Sequence, residues 1–164
     1  QSGHVCMATL HANNSYHALN RILSFYPVES RPTMLGDLSA ALKAVVSQRL
    51  LRTVDGKRVP AVEVMLNTSL IAELISKSDI SGVREAMEKS MAEGSQTFES
   101  DIARLIRDGT VTREEGIAYA DSPTNLIWRL QNDYTAGSHT KKAEPEPDVD
   151  DTPSFTEITL DGDD

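Results

Sequence analysis

Two histidines bracket one apolar run near the start of the chain. Gly3-His4 leads into Val5-Cys6-Met7-Ala8-Thr9-Leu10, and His11 follows directly. An imidazole changes charge near neutral pH and can donate a hydrogen bond to a phosphate or to a catalytic carboxylate. The run between the histidines is β-compatible and nonpolar on both faces, bounded by Gly3 and by Asn13-Asn14, so it reads as a buried strand of the parallel type. Open α/β sheets bind ligands beyond the carboxyl ends of their strands, which is where Leu10-His11 would then lie. The same local pattern reads as readily as a strand-end histidine satisfied by its own hydrogen bonds, and residue types alone do not separate the two.

The other chemical signatures fail. His17 lies three residues into an expected helix and His139 lies in a Gly/Ser-containing linker, so both read as surface residues. The four histidines have no cysteine or carboxylate at zinc-site spacing, and H-E-x-x-H is missing; no metal ligand is expected. No G-x-S-x-G marks a nucleophile elbow. A phosphate loop needs G-x-x-x-x-G-K-[ST]; Gly56-Lys57 is followed by Arg58 and falls in a turn, so it is a decoy.

The elements that would position the histidines follow from periodicity. Asn14 or Ser15 caps a helix with Leu19, Ile22, Leu23 and Tyr26 on one face, ended by Pro27. A second helix follows Pro32, with Met34, Leu35, Leu38, Leu42, Val45 and Val46 facing inward. Leu50–Thr53 and Val59–Leu66 flank Asp55-Gly56, which predicts a β-hairpin. From Thr68 onward the pattern is helical. Leu70, Ile71, Leu74 and Ile75 mark one helix; Val83, Met87 and Met91 mark another, closed by Gly94. Phe98, Ile102, Leu105 and Ile106 line a third, with Gly109 as its C-terminal cap. Thr112 and Glu115 form a capping box, and Ser122-Pro123 opens a last helix carrying Leu126, Ile127 and Leu130.

The chain has 164 residues, 39% hydrophobic and 5% aromatic, which suits one domain or one plus a satellite. Its single cysteine, Cys6, excludes an internal disulfide and a multi-cysteine zinc cluster, and fits a reducing compartment. No apolar run approaches the roughly 18 residues of a membrane span, and the start carries no signal-peptide pattern. The formal net charge of −9 is concentrated at one end. Glu144, Glu146, Asp148, Asp150, Asp151, Glu157, Asp161, Asp163 and Asp164 follow Ala143 without a base, among Pro145, Pro147 and Pro153. That composition predicts a solvated, disordered tail that repels nucleic acid. Ser154–Leu160, with alternating apolar residues, is a weaker candidate for a docking segment.

Gly3–His11 resembles the T-G-H-x-x-x-x-T-L-H histidine box of type IV pilus motor ATPases. Further matches follow in the same order. Arg21-Ile22 falls in the R-I-x-x-x-F/Y-P segment ending at Pro27. Leu38–Leu51 matches L-x-x-x-L-x-A-V-x-x-Q-x-L-L, Ala61–Val64 matches A-x-E-x, and Gln96-Thr97-Phe98 matches Q-T-F/L. The similarity covers roughly residues 1–130 and is nearest to the retraction motors of the PilT/PilU group. The A-I-R-N-L-I-R-E helix of the PilT branch appears as Leu70–Lys77 with Ala72 and Ser76 in place of both arginines. That departure, the Thr9–Asn14 and Ala120–Pro123 segments, and an extended C-terminus look like the PilU branch.

The resemblance implies an α/β plus all-α fold in three parts. Residues 1–67 would be the C-terminal half of a RecA-like P-loop ATPase domain, 68–134 a small helical domain, and 135–164 a linker with an acidic tail. It implies that His4 and His11 stand near the γ-phosphate and the catalytic glutamate, that Thr9 holds the strand end, and that Arg21 reaches a neighbouring subunit. ATP and Mg2+ would be bound mainly by residues preceding Gln1, in a piece of a longer protein, so the fragment alone would not hydrolyse ATP. The implied setting is a cytoplasmic hexameric motor for pilus retraction and twitching motility at the inner membrane. Its partners would be further copies or a PilT-type ATPase, and the pilus platform protein. The competing reading is a non-catalytic helical adaptor whose acidic tail recruits a basic partner.

Overall fold

The computed structural model describes residues 3–89 and 92–137, the side chains of 133–137 excepted. A β-hairpin organises it. Strand β1 (Ala44–Arg52) pairs antiparallel with β2 (Arg58–Leu66) over nine residue pairs, from Ala44 opposite Leu66 to Arg52 opposite Arg58. The turn between them places Gly56 at φ 82°, a left-handed conformation that glycine adopts without steric cost. These two strands form a sheet of their own.

The expected strand over Val5–Leu10 does not form. Residues 4–12 are irregular, and Val5 and Met7 are 90% and 92% exposed. A nonpolar run becomes a buried strand only where a neighbouring strand satisfies its backbone and other layers cover its faces. The hairpin ladder supplies neither. The free edge of β2 is already taken. Gln96 exchanges backbone hydrogen bonds with Val64 (2.9 and 3.0 Å), its side-chain amide donates to the Val62 carbonyl (2.8 Å), and Asp101 Oδ2 accepts from the Val62 N–H (2.8 Å).

Helix α1 (Ser15–Ser24) starts as its sequence suggests, with Asn14 Oδ1 accepting the His17 N–H at 2.8 Å. Leu19 and Leu23 are buried and Ile22 is half-buried, but Tyr26 lies beyond the helix and is exposed. Helix α2 (Arg31–Ala41) is shorter than expected. Val45 and Val46 belong to β1 instead, because β-branched residues opposite Met65 and Val64 gain a ladder that a helix end cannot offer.

Beyond Leu66 every described element is a helix. These are α3 (Ser69–Ser76), α4 (Ile80–Lys89), α5 (Phe98–Arg107), α6 (Arg113–Tyr119) and α7 (Pro123–Gly137). Met91 and His139 lie outside the described residues, as does the acidic tail from residue 138. Gly109, at φ 67°, follows α5 as expected. The capping box is only half formed: Thr112 Oγ1 accepts from the Glu115 N–H (3.2 Å), while the Glu115 carboxylate accepts from the Arg52 N–H (2.8 Å). Two apolar clusters result. One gathers Leu19, Leu23, Leu35, Met65, Ile71, Ile75, Val83 and Met87; the other gathers Leu51, Ala61, Phe98, Ile102, Leu105, Val111, Leu126 and Leu130. The hairpin contributes to both.

Candidate functional site

His4, Thr9 and His11 all lie on the exposed irregular segment that enters α1, and Arg21 lies on the exposed surface of the last turn of α1. His11 stands in the middle of a tight turn closed by the Ala12 N–H and the Leu10 carbonyl (3.1 Å). Arg21 stacks on the Phe25 ring at 5.9 Å. None of the four lines the cavity between α1, the hairpin and the α6–α7 junction. The structure therefore presents the histidines at the surface and does not itself enclose them with Arg21 around a ligand.

What the fold does assemble is a polar cluster where that segment joins the body. Glu63 occupies an inward position of β2 between buried Ala61 and Met65. Its Oε1 accepts both the N–H and the Oγ–H of Ser15, each at 2.7 Å, at the positive end of α1. Burial pushes the Glu63 carboxyl above its ordinary 4.5; the Ser15 hydrogen bonds oppose this, and the charges of Asp121 and Glu99 add to it. Beside it, Asp121 Oδ2 accepts from Asn14 Nδ2 (2.8 Å) and Asp121 Oδ1 pairs with Arg49. Arg49 also donates to the Tyr119 carbonyl (2.6 Å) and the Asn13 carbonyl (3.1 Å), and its guanidinium stacks 4.1 Å from the Phe98 ring centroid. Glu99 Oε1 accepts the Ser122 N–H at 2.7 Å.

The partly open cleft that Asn14, Glu63, Thr97, Glu99 and Asp121 share with Arg84 and Glu88 of α4 holds about 20 Å³. That is room for a water molecule and far too little for a nucleotide. Although three carboxylates meet here, Ser15, Ser122, Asn14 and Arg49 already engage them. Among the described residues no group of three or more His, Cys, Asp or Glu side chains could hold a metal ion. Mg2+ does not fit these residues. The sequence carried one local sign of the cluster, a glutamate at the inward parity of an otherwise apolar strand. Asp121 and Arg49 gave no such sign, since their partners are distant in the chain.

Known proteins resemble this chain in sequence and, for one solved structure, in fold. The family model for type II/IV secretion system proteins matches residues 1–122. The type IV pilus ATPase PilU of Pseudomonas aeruginosa is 43% identical over 127 residues, covering 77% of this chain and 33% of that protein. The type IV pilus retraction ATPase PilT of the same organism is 29% identical over 126 residues, covering 77% of this chain and 37% of that one. A crystal structure of the pilus retraction motor PilT with bound ADP superimposes with a TM-score of 0.69 at 27% identity, over 78% of this chain and 36% of that chain. The chain belongs to the type II/IV secretion system protein family, in which its matches include the pilus motors PilU and PilT. It spans about a third of the length of these relatives. No described helix is long and apolar enough to cross a membrane.

Proposed function

We propose that this chain is the C-terminal part of a PilU-like motor ATPase that takes part in type IV pilus retraction. The observation that carries the reading is the 43% identity to PilU across 127 residues, supported by the likeness to an ADP-bound retraction motor. Residues 1–67 belong in this reading to a RecA-like ATPase domain, 68–134 to a helical domain, and 135–164 to a linker and acidic tail, with α7 carrying the helical domain on to Gly137. The whole protein works as a hexamer, or mixed with a PilT-type ATPase, on the cytoplasmic side of the inner-membrane pilus platform.

His4 and His11 face the γ-phosphate of an ATP held by other parts of the full-length protein. Each imidazole donates a hydrogen bond to that phosphate or to the catalytic carboxylate beside it, and loses the phosphate contact on cleavage. Thr9 steadies the segment between them, and Arg21 reaches across to a neighbouring subunit. The 164 residues contain no G-x-x-x-x-G-K-[ST] loop, and phosphoryl transfer depends on that kind of phosphate cradle. By themselves they should turn over no ATP.

The test is His11→Ala in the full-length protein, with ATPase rate and nucleotide affinity measured separately. The expected outcome is a fall in kcat of at least about a hundredfold, the scale of a lost positioned proton-donating group, with little change in nucleotide Kd. Equal losses in rate and affinity would return His11 to a plain binding or structural role. Steady ATP hydrolysis by the purified 164-residue chain would refute the division of labour.

A further inference from the structure

We propose that Asp121 and Arg49, together with Glu63, are positioning residues for His11. The inference rests on the role given to His11 above. Three consecutive residues just after the histidine are each held by a different part of the fold. The Asn13 carbonyl accepts from Arg49 of β1 (3.1 Å), Asn14 Nδ2 donates to Asp121 at the α6–α7 junction (2.8 Å), and Ser15 donates twice to Glu63 of β2 (2.7 Å each). Only Ala12 separates His11 from this anchorage, and the Ala12 N–H closes the tight turn around His11 on the Leu10 carbonyl.

The anchor is itself braced. Arg49 is held by the Tyr119 carbonyl, the Asp121 carboxylate and the Phe98 ring, so its planar fork cannot swing without breaking contacts to α6, to the α6–α7 junction and to α5. The side chains of Arg49 and Asp121 are 17% and 19% exposed, which removes most of the screening that makes surface ion pairs weak. The segment bearing the histidines is exposed and irregular up to residue 12, yet its exit is fixed by four hydrogen bonds. A group that must meet a phosphate needs such a fixed mount, because small displacements of a reacting group cost large factors in rate.

The test is a double-mutant comparison in the full-length protein. Asp121→Asn removes the charge that holds Arg49 and puts an amide against two donors. It should lower kcat about tenfold and leave nucleotide Kd within about twofold. In the His11→Ala background the same change should lower kcat no further, because a residue acting through His11 has nothing left to position. An equal loss in both backgrounds, or no loss in either, overturns the proposal. A harmless His11→Ala would instead sink the functional reading, and that is seen before Asp121 is altered. Circular dichroism checks folding. If Asp121→Asn misfolds, Asn14→Ser carries the same comparison, since its hydroxyl can still cap α1 but cannot reach Asp121.

Discussion

Val5–Leu10 and Val59–Leu66 are both apolar, β-compatible runs, and they end in opposite states. The second is a paired strand with Ala61 and Met65 fully buried; the first is irregular and exposed. Composition does not separate them. The difference lies in where a partner is found. Val59–Leu66 meets β1 across a short turn, so pairing closes a small loop at little entropic cost. Its far face and edge are then covered by Phe98, Asp101 and Gln96 of a nearby segment. Among the described residues no strand pairs with Val5–Leu10. A strand is thus a property of a pair and its cover rather than of a run of residues.

The largest test of this comparison is to remove the cover. Phe98→Ala deletes a fully buried ring that packs beside Leu51 and Ala61 and carries the Arg49 guanidinium. It should destabilise the fold by about 3–5 kcal/mol, read from urea unfolding. A loss under about 1 kcal/mol would mean that the hairpin needs no support from α5.

Glu63, where the hairpin meets the histidine segment, sharpens the contrast through pH. Its folded pKa is raised above the ordinary 4.5, so the folded state binds the proton more tightly than the unfolded one. This group therefore adds stability as pH falls through the raised value, and the gain is complete below about 4.5, opposite to an ordinary ion-paired carboxylate. Seryl donors at Ser15 oppose the shift, while Asp121 and Glu99 add to it. Glu63→Gln, whose carbonyl can still accept from Ser15, should remove that increment. Melting temperature followed from pH 7 to pH 4.5 should show a larger acid-side gain, or a shallower acid-side loss, in wild type than in the variant; the reverse order would overturn this account.

The smallest effect is expected in the histidine segment. Met7→Ser, at a side chain 92% exposed, should change the stability of this chain by no more than about 0.5 kcal/mol. A loss comparable to Phe98→Ala would show that Val5–Leu10 is packed after all.

Much of the helical part was legible because its signals are local. Asn14, Thr68, Thr97, Thr112 and Ser122 each precede a helix and accept from a backbone N–H three residues on. Asp55-Gly56 fixed the turn of the hairpin in advance. The boundary between α2 and β1 is hidden because Leu38, Leu42, Val45 and Val46 continue a helical spacing into residues that the ladder claims. The Gln96-Thr97-Phe98 motif is visible as a pattern, but its meaning is tertiary: a bridge to Val64, a cap for α5 and a core ring. The polar cluster was not legible at all beyond Glu63. Asn14 meets Asp121 across 107 positions and Arg49 meets it across 72, and no local period reports such a meeting.

The hairpin gives Met65 to one apolar cluster and Leu51 and Ala61 to the other. A single ribbon of nine residue pairs therefore carries side chains of both cores, and a slip of its register by one residue would turn the strand residues of both away from the interior at once.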